Sequence, residues 1–265
     1  MKATPIGIFD SGIGGLTVAS AIQKAFPLES IIYYGDTAHL PYGEKSVESI
    51  QSYAIEITDF LIKQGCKMIV IACNSASAAA YELLEKKYSQ VIPILDVISP
   101  LVELIGTEDF KKVGVIATKA TVRTDIYAQK LHSIKPKMEV SSLATGLLAS
   151  MIEEGFVNND ISHAVLHNYL KYPDFEDIEA LLLACTHYPL IRPEIENFYQ
   201  GRVKVFDSVD AVVKKVEALL DILDLRSTDE KLSFQRFYVS DYTRAFEQAT
   251  RIFYEKEVHL EVAKL

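Results

Sequence analysis

Apolar runs of four or five residues recur along this chain, each closing on a small or polar residue and most followed by apolar positions at helical spacing. The first covers residues 6–9 and stops at Asp10. After the turn Ser11-Gly12-Ile13-Gly14-Gly15 it gives way to an amphipathic helix from about Leu16 to Phe26. Residues 30–34 form the next strand, closing on Gly35-Asp36-Thr37, with a helix over 47–64 beyond it. The strand Ile69-Val70-Ile71 with a helix over 76–88, and a short strand over 91–95, continue the alternation. Strand followed by helix, repeatedly, predicts a parallel sheet covered on both faces.

At residue 113 the pattern begins again. Val113-Gly114-Val115-Ile116-Ala117-Thr118 matches the character of Ile6-Gly7-Ile8-Phe9-Asp10 at an offset of about 107 residues. A helix over 121–134, a strand over 141–145 and a helix over 146–154 follow. Next come a helix carrying His163 and His167, a strand over 181–184 and a strand over 203–206 that closes on Asp207-Ser208. Beyond a helix over 211–223 and a charged surface loop over 226–231, a strand over 234–239 and a final helix over 243–254 are expected. The predicted architecture is α/β: two similar doubly wound parallel-sheet domains with the active site in the cleft between them. The first domain is discontinuous, residues 1–98 plus 208–265, and the second spans 99–207.

Two cysteines stand at matching places in this scheme. Ile69-Val70-Ile71-Ala72-Cys73-Asn74-Ser75-Ala76 and Leu181-Leu182-Leu183-Ala184-Cys185-Thr186-His187-Tyr188 are both apolar runs that end in Ala-Cys and continue into hydrogen-bonding residues, 112 positions apart. A buried cysteine can be no more than a small hydrophobe. At a strand end that opens a helix, however, unpaired N–H groups and the helix dipole favour the thiolate. Lowering a thiol from ~8.5 to ~7 takes about 2 kcal/mol, within reach of a helix N-terminus and one polar neighbour.

Composition narrows the field. With 265 residues, 49% of them hydrophobic, the chain can bury a large core. Its 27 basic against 36 acidic residues give a formal charge of −9 without a basic block, which argues against nucleic acid or an anionic membrane surface as partner. Three cysteines without a C-x-x-C pair suit a reducing cytoplasm. No transmembrane run and no signal-peptide core are seen, so a cytoplasmic protein is expected.

Other motifs carry less. Counted from Gly12, the sixth place of a dinucleotide fingerprint is Thr17, and no Walker lysine follows, so the turn is not read as a nucleotide loop. Its N–H groups are candidates for holding a carboxylate, with Asp10 projecting into the site. His163 and His167 lie four apart but lack the carboxylate of a zinc helix, so no metal is assigned. Glu153 and Glu154 fall near a helix C-terminus, unfavourable for the dipole, so one of them is a candidate functional group.

An acid and a base of one kind, on opposite sides of a substrate, suit removal of a proton from one face of a carbon and return of a proton to the other. That is racemisation. A cysteine hydrolase needs one nucleophile and a base such as His187, leaving Cys73 idle, and a thiol redox protein wants its cysteines within bonding reach.

The chain resembles the glutamate racemase branch of the cofactor-independent aspartate/glutamate racemase superfamily. The resemblance is carried by Phe9-Asp10-Ser11-Gly12-Ile13-Gly14-Gly15, by Tyr34-Gly35-Asp36-Thr37-Ala38 with Pro41-Tyr42-Gly43, by Ala72-Cys73-Asn74-Ser75-Ala76, and by Ala184-Cys185-Thr186-His187-Tyr188-Pro189. It implies Cys73 and Cys185 as the two acid/base residues, supported by Asp10 and His187, with Glu153 an acidic residue near the entrance. Substrate contacts implied are Asp10, Ser11, Tyr42, Gly43, Asn74, Ser75, Thr118, Thr121, Thr186 and His187. No cofactor is implied; the partner is a small molecule, glutamate, destined for peptidoglycan, and a homodimer is an option. Departures are Ser75 and His39, where the family usually has Thr and Arg. Aspartate as substrate, and a non-catalytic glutamate-binding regulatory module, are the alternatives.

Overall fold

A computed structural model describes residues 4–228 and 233–265; residues 1–3, and 229–231 of the charged loop expected over 226–231, lie outside the described residues. The chain first lays down β1 (Ile6–Asp10), α1 (Leu16–Ala25), β2 (Ile31–Gly35), α2 (Val47–Lys63), β3 (Met68–Ile71), α3 (Asn74–Tyr88), β4 (Ile94–Asp96) and α4 (Ile98–Thr107). A second series follows: β5 (Lys112–Ala117), α5 (Lys119–Thr124), α6 (Ile126–Ile134), β6 (Glu139–Ala144), α7 (Leu148–Glu153), α8 (Asp160–Leu170), β7 (Ala180–Ala184), α9 (Arg192–Tyr199) and β8 (Lys204–Asp207). It closes with α10 (Val209–Ile222), β9 (Gln235–Val239), α11 (Arg244–Tyr254) and β10 (Leu260–Val262).

Two sheets result, ordered β10-β9-β2-β1-β3-β4 and β6-β5-β7-β8, and every pairing is parallel. The order β2-β1-β3-β4 in the first sheet repeats as β6-β5-β7-β8 in the second, so β1 corresponds to β5 and β3 to β7. Strand residues alternate between two buried faces, as sheets covered on both sides require. Ile6 and Ile8 join a core shared with α1 and α10, whereas Phe9, Ile69 and Ile71 join the core under α2 and α3. The first of these cores runs on into the second sheet through Ile116, Leu181 and Leu183.

Three differences from the pattern have physical causes. The helix expected over 121–134 is two helices, broken at Asp125, whose φ of 54° is left-handed, a conformation that aspartate tolerates better than most side chains. Helix α4 does not register as a helix in the sequence because Ile98-Ser99-Pro100 reads as a break. Pro100 falls in the first turn, where its missing N–H is harmless, and Asp96 Oδ1 accepts the free N–H groups of Ile98 and Ser99, each at 2.7 Å. Strand β10, three residues long, is too short to show a period. At the end of β2, Gly35 is obligatory: a Cβ there would stand 2.2 Å from the Gly12 carbonyl oxygen of the turn after β1.

Candidate active site

The carboxyl ends of β1, β3, β5 and β7 converge on one cavity of about 90 Å³, room for a single small molecule. Its wall takes Ser11, Tyr42, Gly43, Cys73, Asn74 and Ser75 from the first half, and Thr118, Glu153, Cys185, Thr186 and His187 from the second. Asp10 and Thr121, also expected to touch substrate, stand one layer back. Asp10 Oδ2 accepts the N–H groups of Gly12 and Gly15, both at 3.1 Å, so these turn donors are spent on Asp10 and are not free for a ligand carboxylate. Its Oδ1 is buried without a partner among the described residues. Burial raises the Asp10 pKa against the opposing charge of His187. Thr121 lies behind Thr118, with their hydroxyls 3.2 Å apart.

Cys73 is the N-cap of α3. Its sulfur accepts the Ala76 N–H at 3.4 Å and its thiol donates to Ser11 Oγ at 3.6 Å. The helix N-terminus was expected to favour the thiolate; instead burial, joined by the charge of Asp10, pushes the Cys73 thiol up to about 12 and outweighs the N–H donors. Cys73 is therefore held as the protonated thiol.

On the other side Cys185 follows β7 directly, with its Sγ 3.6 Å from His187 Nδ1. His187 Nε2 is 2.7 Å from Glu153 Oε1. Burial disfavours charge on the ring, but the hydrogen bonds with Cys185 and Glu153 prevail and push its pKa up to about 10. His187 is thus an imidazolium flanked by a sulfur and a carboxylate. Of the two glutamates at the end of α7, Glu153 is the one held, while Glu154 is exposed. Gly14 lets the halves meet here: a Cβ on it would stand 2.3 Å from His187 Cε1.

The remaining polar groups form a seam between the halves. Ser75 Oγ and Thr118 Oγ1 are 2.8 Å apart, and Lys119 and Glu44 pair across the rim at 3.1 Å. Tyr42 presents its ring and donates its hydroxyl to the buried Asp36 at 2.5 Å. Asp36 is also met by Ser240 Oγ at 2.7 Å and by His39 Nδ1 at 2.9 Å. His39 stacks on Tyr53 and does not line the cavity. Thr145, bonded to the Tyr188 hydroxyl at 2.7 Å, also lines the cavity; it follows β6 as Thr118 follows β5, but no apolar run points to it in the sequence. His163 lies 3.5 Å from Glu194 and His167 meets the Phe198 ring edge-on, so the two histidines have separate partners.

Twin parallel sheets, each lending one thiol to a shared small-molecule cavity at their strand ends, define a class of α/β protein built as two similar halves around one site. A profile of the Asp/Glu/hydantoin racemase family matches residues 16–216. The chain is 38% identical to the glutamate racemase of Streptococcus pneumoniae strain TIGR4, with all of both chains covered. Among solved structures, the glutamate racemase of Francisella tularensis in complex with D-glutamate is 41% identical with a TM-score of 0.93, over 100% of this chain and 98% of that one. The RacE1 isoform of glutamate racemase from Bacillus anthracis is 31% identical with a TM-score of 0.90, over 100% and 99%. The chain belongs to the Asp/Glu/hydantoin racemase family, among the glutamate racemases, and is an isomerase of the amino-acid racemase class. Among the described residues no helix is long and apolar enough to cross a membrane.

Proposed function

We propose that the protein interconverts L- and D-glutamate by proton transfer between two thiols, and that its D-glutamate feeds peptidoglycan in the cytoplasm. The observation that carries the reading is the placing of Cys73 and Cys185 at the ends of corresponding strands, β3 and β7, on opposite halves of one small cavity. The Francisella relative, solved with D-glutamate, supports the choice of substrate.

In the forward step the Cys185 thiolate, lying against the His187 imidazolium, takes the α-proton from one face, and the electron pair stays on the α-carbon. The Cys73 thiol delivers its proton to the opposite face, leaving Cys73 as thiolate and Cys185 as thiol. The reverse reaction starts from that state. Hydroxyls, the Asn74 amide and the His187 charge stabilise the carboxylates and the developing carbanion. Both the acid and the base are side chains, so the scheme needs no pyridoxal phosphate. We place the domain divisions at 98/99 and 207/208.

In D2O, either enantiomer should yield product labelled at the α-carbon, and Cys73→Ala and Cys185→Ala should each abolish interconversion. Racemisation retained by either variant rules the scheme out. Turnover on aspartate matching that on glutamate would favour the alternative substrate, glutamate binding without α-proton exchange would favour a regulatory module, and an acyl-thioester on a single cysteine would mark a hydrolase.

A further inference from the structure

We propose that Tyr127 is a positioning residue: from the second half of the molecule it fixes the side-chain amide of Asn74 so that the NH2 end faces the ligand. Asn74 opens α3, lines the cavity and is 2% exposed. Its Oδ1 accepts the Tyr127 hydroxyl at 2.7 Å, and its Nδ2 is buried without a partner among the described residues.

A buried N–H left unpaired costs about 1–3 kcal/mol, so the NH2 group is built for an acceptor that arrives with the ligand. A primary amide has two orientations of nearly equal shape and opposite polarity. With Tyr127 donating to the amide oxygen, that oxygen is held away from the cavity and the two N–H donors are left for the ligand, the polarity a carboxylate requires. The opposite orientation would set the amide oxygen against a carboxylate. Tyr127 is itself buried, two residues beyond the Asp125 break, and burial holds its pKa well above the ordinary phenol value, so it remains a donor throughout the working pH range. The bond also crosses from α6 to α3, so the amide is aimed only while the two halves are together.

This inference rests on the reading of the cavity as a glutamate site. With L- and D-glutamate, Tyr127→Phe should raise KM about tenfold while kcat changes less than about threefold, a loss of the size expected for one aimed hydrogen bond. The inhibition constant of glutarate should rise in step. Asn74→Ala and the double variant Asn74→Ala/Tyr127→Phe should share one KM, because Tyr127 acts through Asn74. In the wild-type protein the side-chain amide protons of Asn74 should shift on addition of glutarate, a measurement that does not depend on any variant folding. An unchanged KM in Tyr127→Phe, a fall in kcat alone, additive effects in the double variant, or amide protons unmoved by glutarate would each overturn the assignment. Wild-type protein inert toward glutamate would instead overturn the function proposed above.

Discussion

At Cys73 two effects of opposite sign compete, and in the proposed scheme their sum decides which thiol starts as donor. The N–H of Ala76 favours the thiolate, while burial beside the Asp10 carboxylate disfavours it by more. His187 shows the reverse balance, since burial opposes its charge and Glu153 with Cys185 restores it. Because its pKa is raised above the ordinary 6.5 to about 10, the charged ring stabilises the folded protein fully below pH 6.5, and that contribution is lost as pH rises through about 10. Glu153→Gln removes one of the groups that sustain the charge. Measured as kcat/KM against pH, the loss of activity on the alkaline side should move to lower pH in that variant; an unmoved profile would separate Glu153 from the proton chemistry. Cys73, Cys185 and Glu153 were all visible as residues in the sequence. The protonation of Cys73 was not, because it depends on Asp10 coming in from 63 positions away along the chain.

The elements repeat one device, a buried parallel strand whose last residues pass into a turn or helix start. Asp10, Cys73, Thr118 and Cys185 all sit at such ends, which is why apolar runs closing on a polar residue located most of the wall. Turns are less legible. The glycines after β1 have the look of a ligand loop, yet two of their N–H groups serve Asp10, and Gly14 is there for the ring of His187. Gly14→Ala would drive a methyl into that ring and into Thr186 Oγ1, 2.7 Å from the built Cβ. If His187 acts as proposed, displacing its ring by about an ångström costs on the order of a hundredfold. The variant should therefore keep its circular dichroism spectrum and lose about two orders of magnitude in kcat/KM. Near-normal activity would mean that the ring has freedom the structure does not show.

Over the whole molecule, alternation of strand and helix was enough to give the fold class, two halves, and the return of the chain to the first sheet. It could not show how the return is fastened, since that is done by side chains far apart in sequence. The Lys67 side chain is 4% exposed; its Nζ contacts Glu29 Oε2 and donates to the Leu225 carbonyl at 2.5 Å, and Glu29 also accepts the Ser227 N–H at 2.8 Å. Lys67→Met strands a buried carboxylate and should cost about 3–5 kcal/mol in urea unfolding. Lys67→Met/Glu29→Leu should recover part of that loss. A double variant as unstable as the single would mean that the cation itself, rather than the pairing, holds the segment.

The parallel neighbour that covers the outer flank of β2 is β9, and the whole second sheet is made before it. On the ribosome, then, the later-encoded half can finish first, while the earlier one waits with the backbone of Ile31–Gly35 open to any passing strand. A nascent chain arrested before Gln235 should be sticky and chaperone-bound, and release of the last strands should end that dependence abruptly.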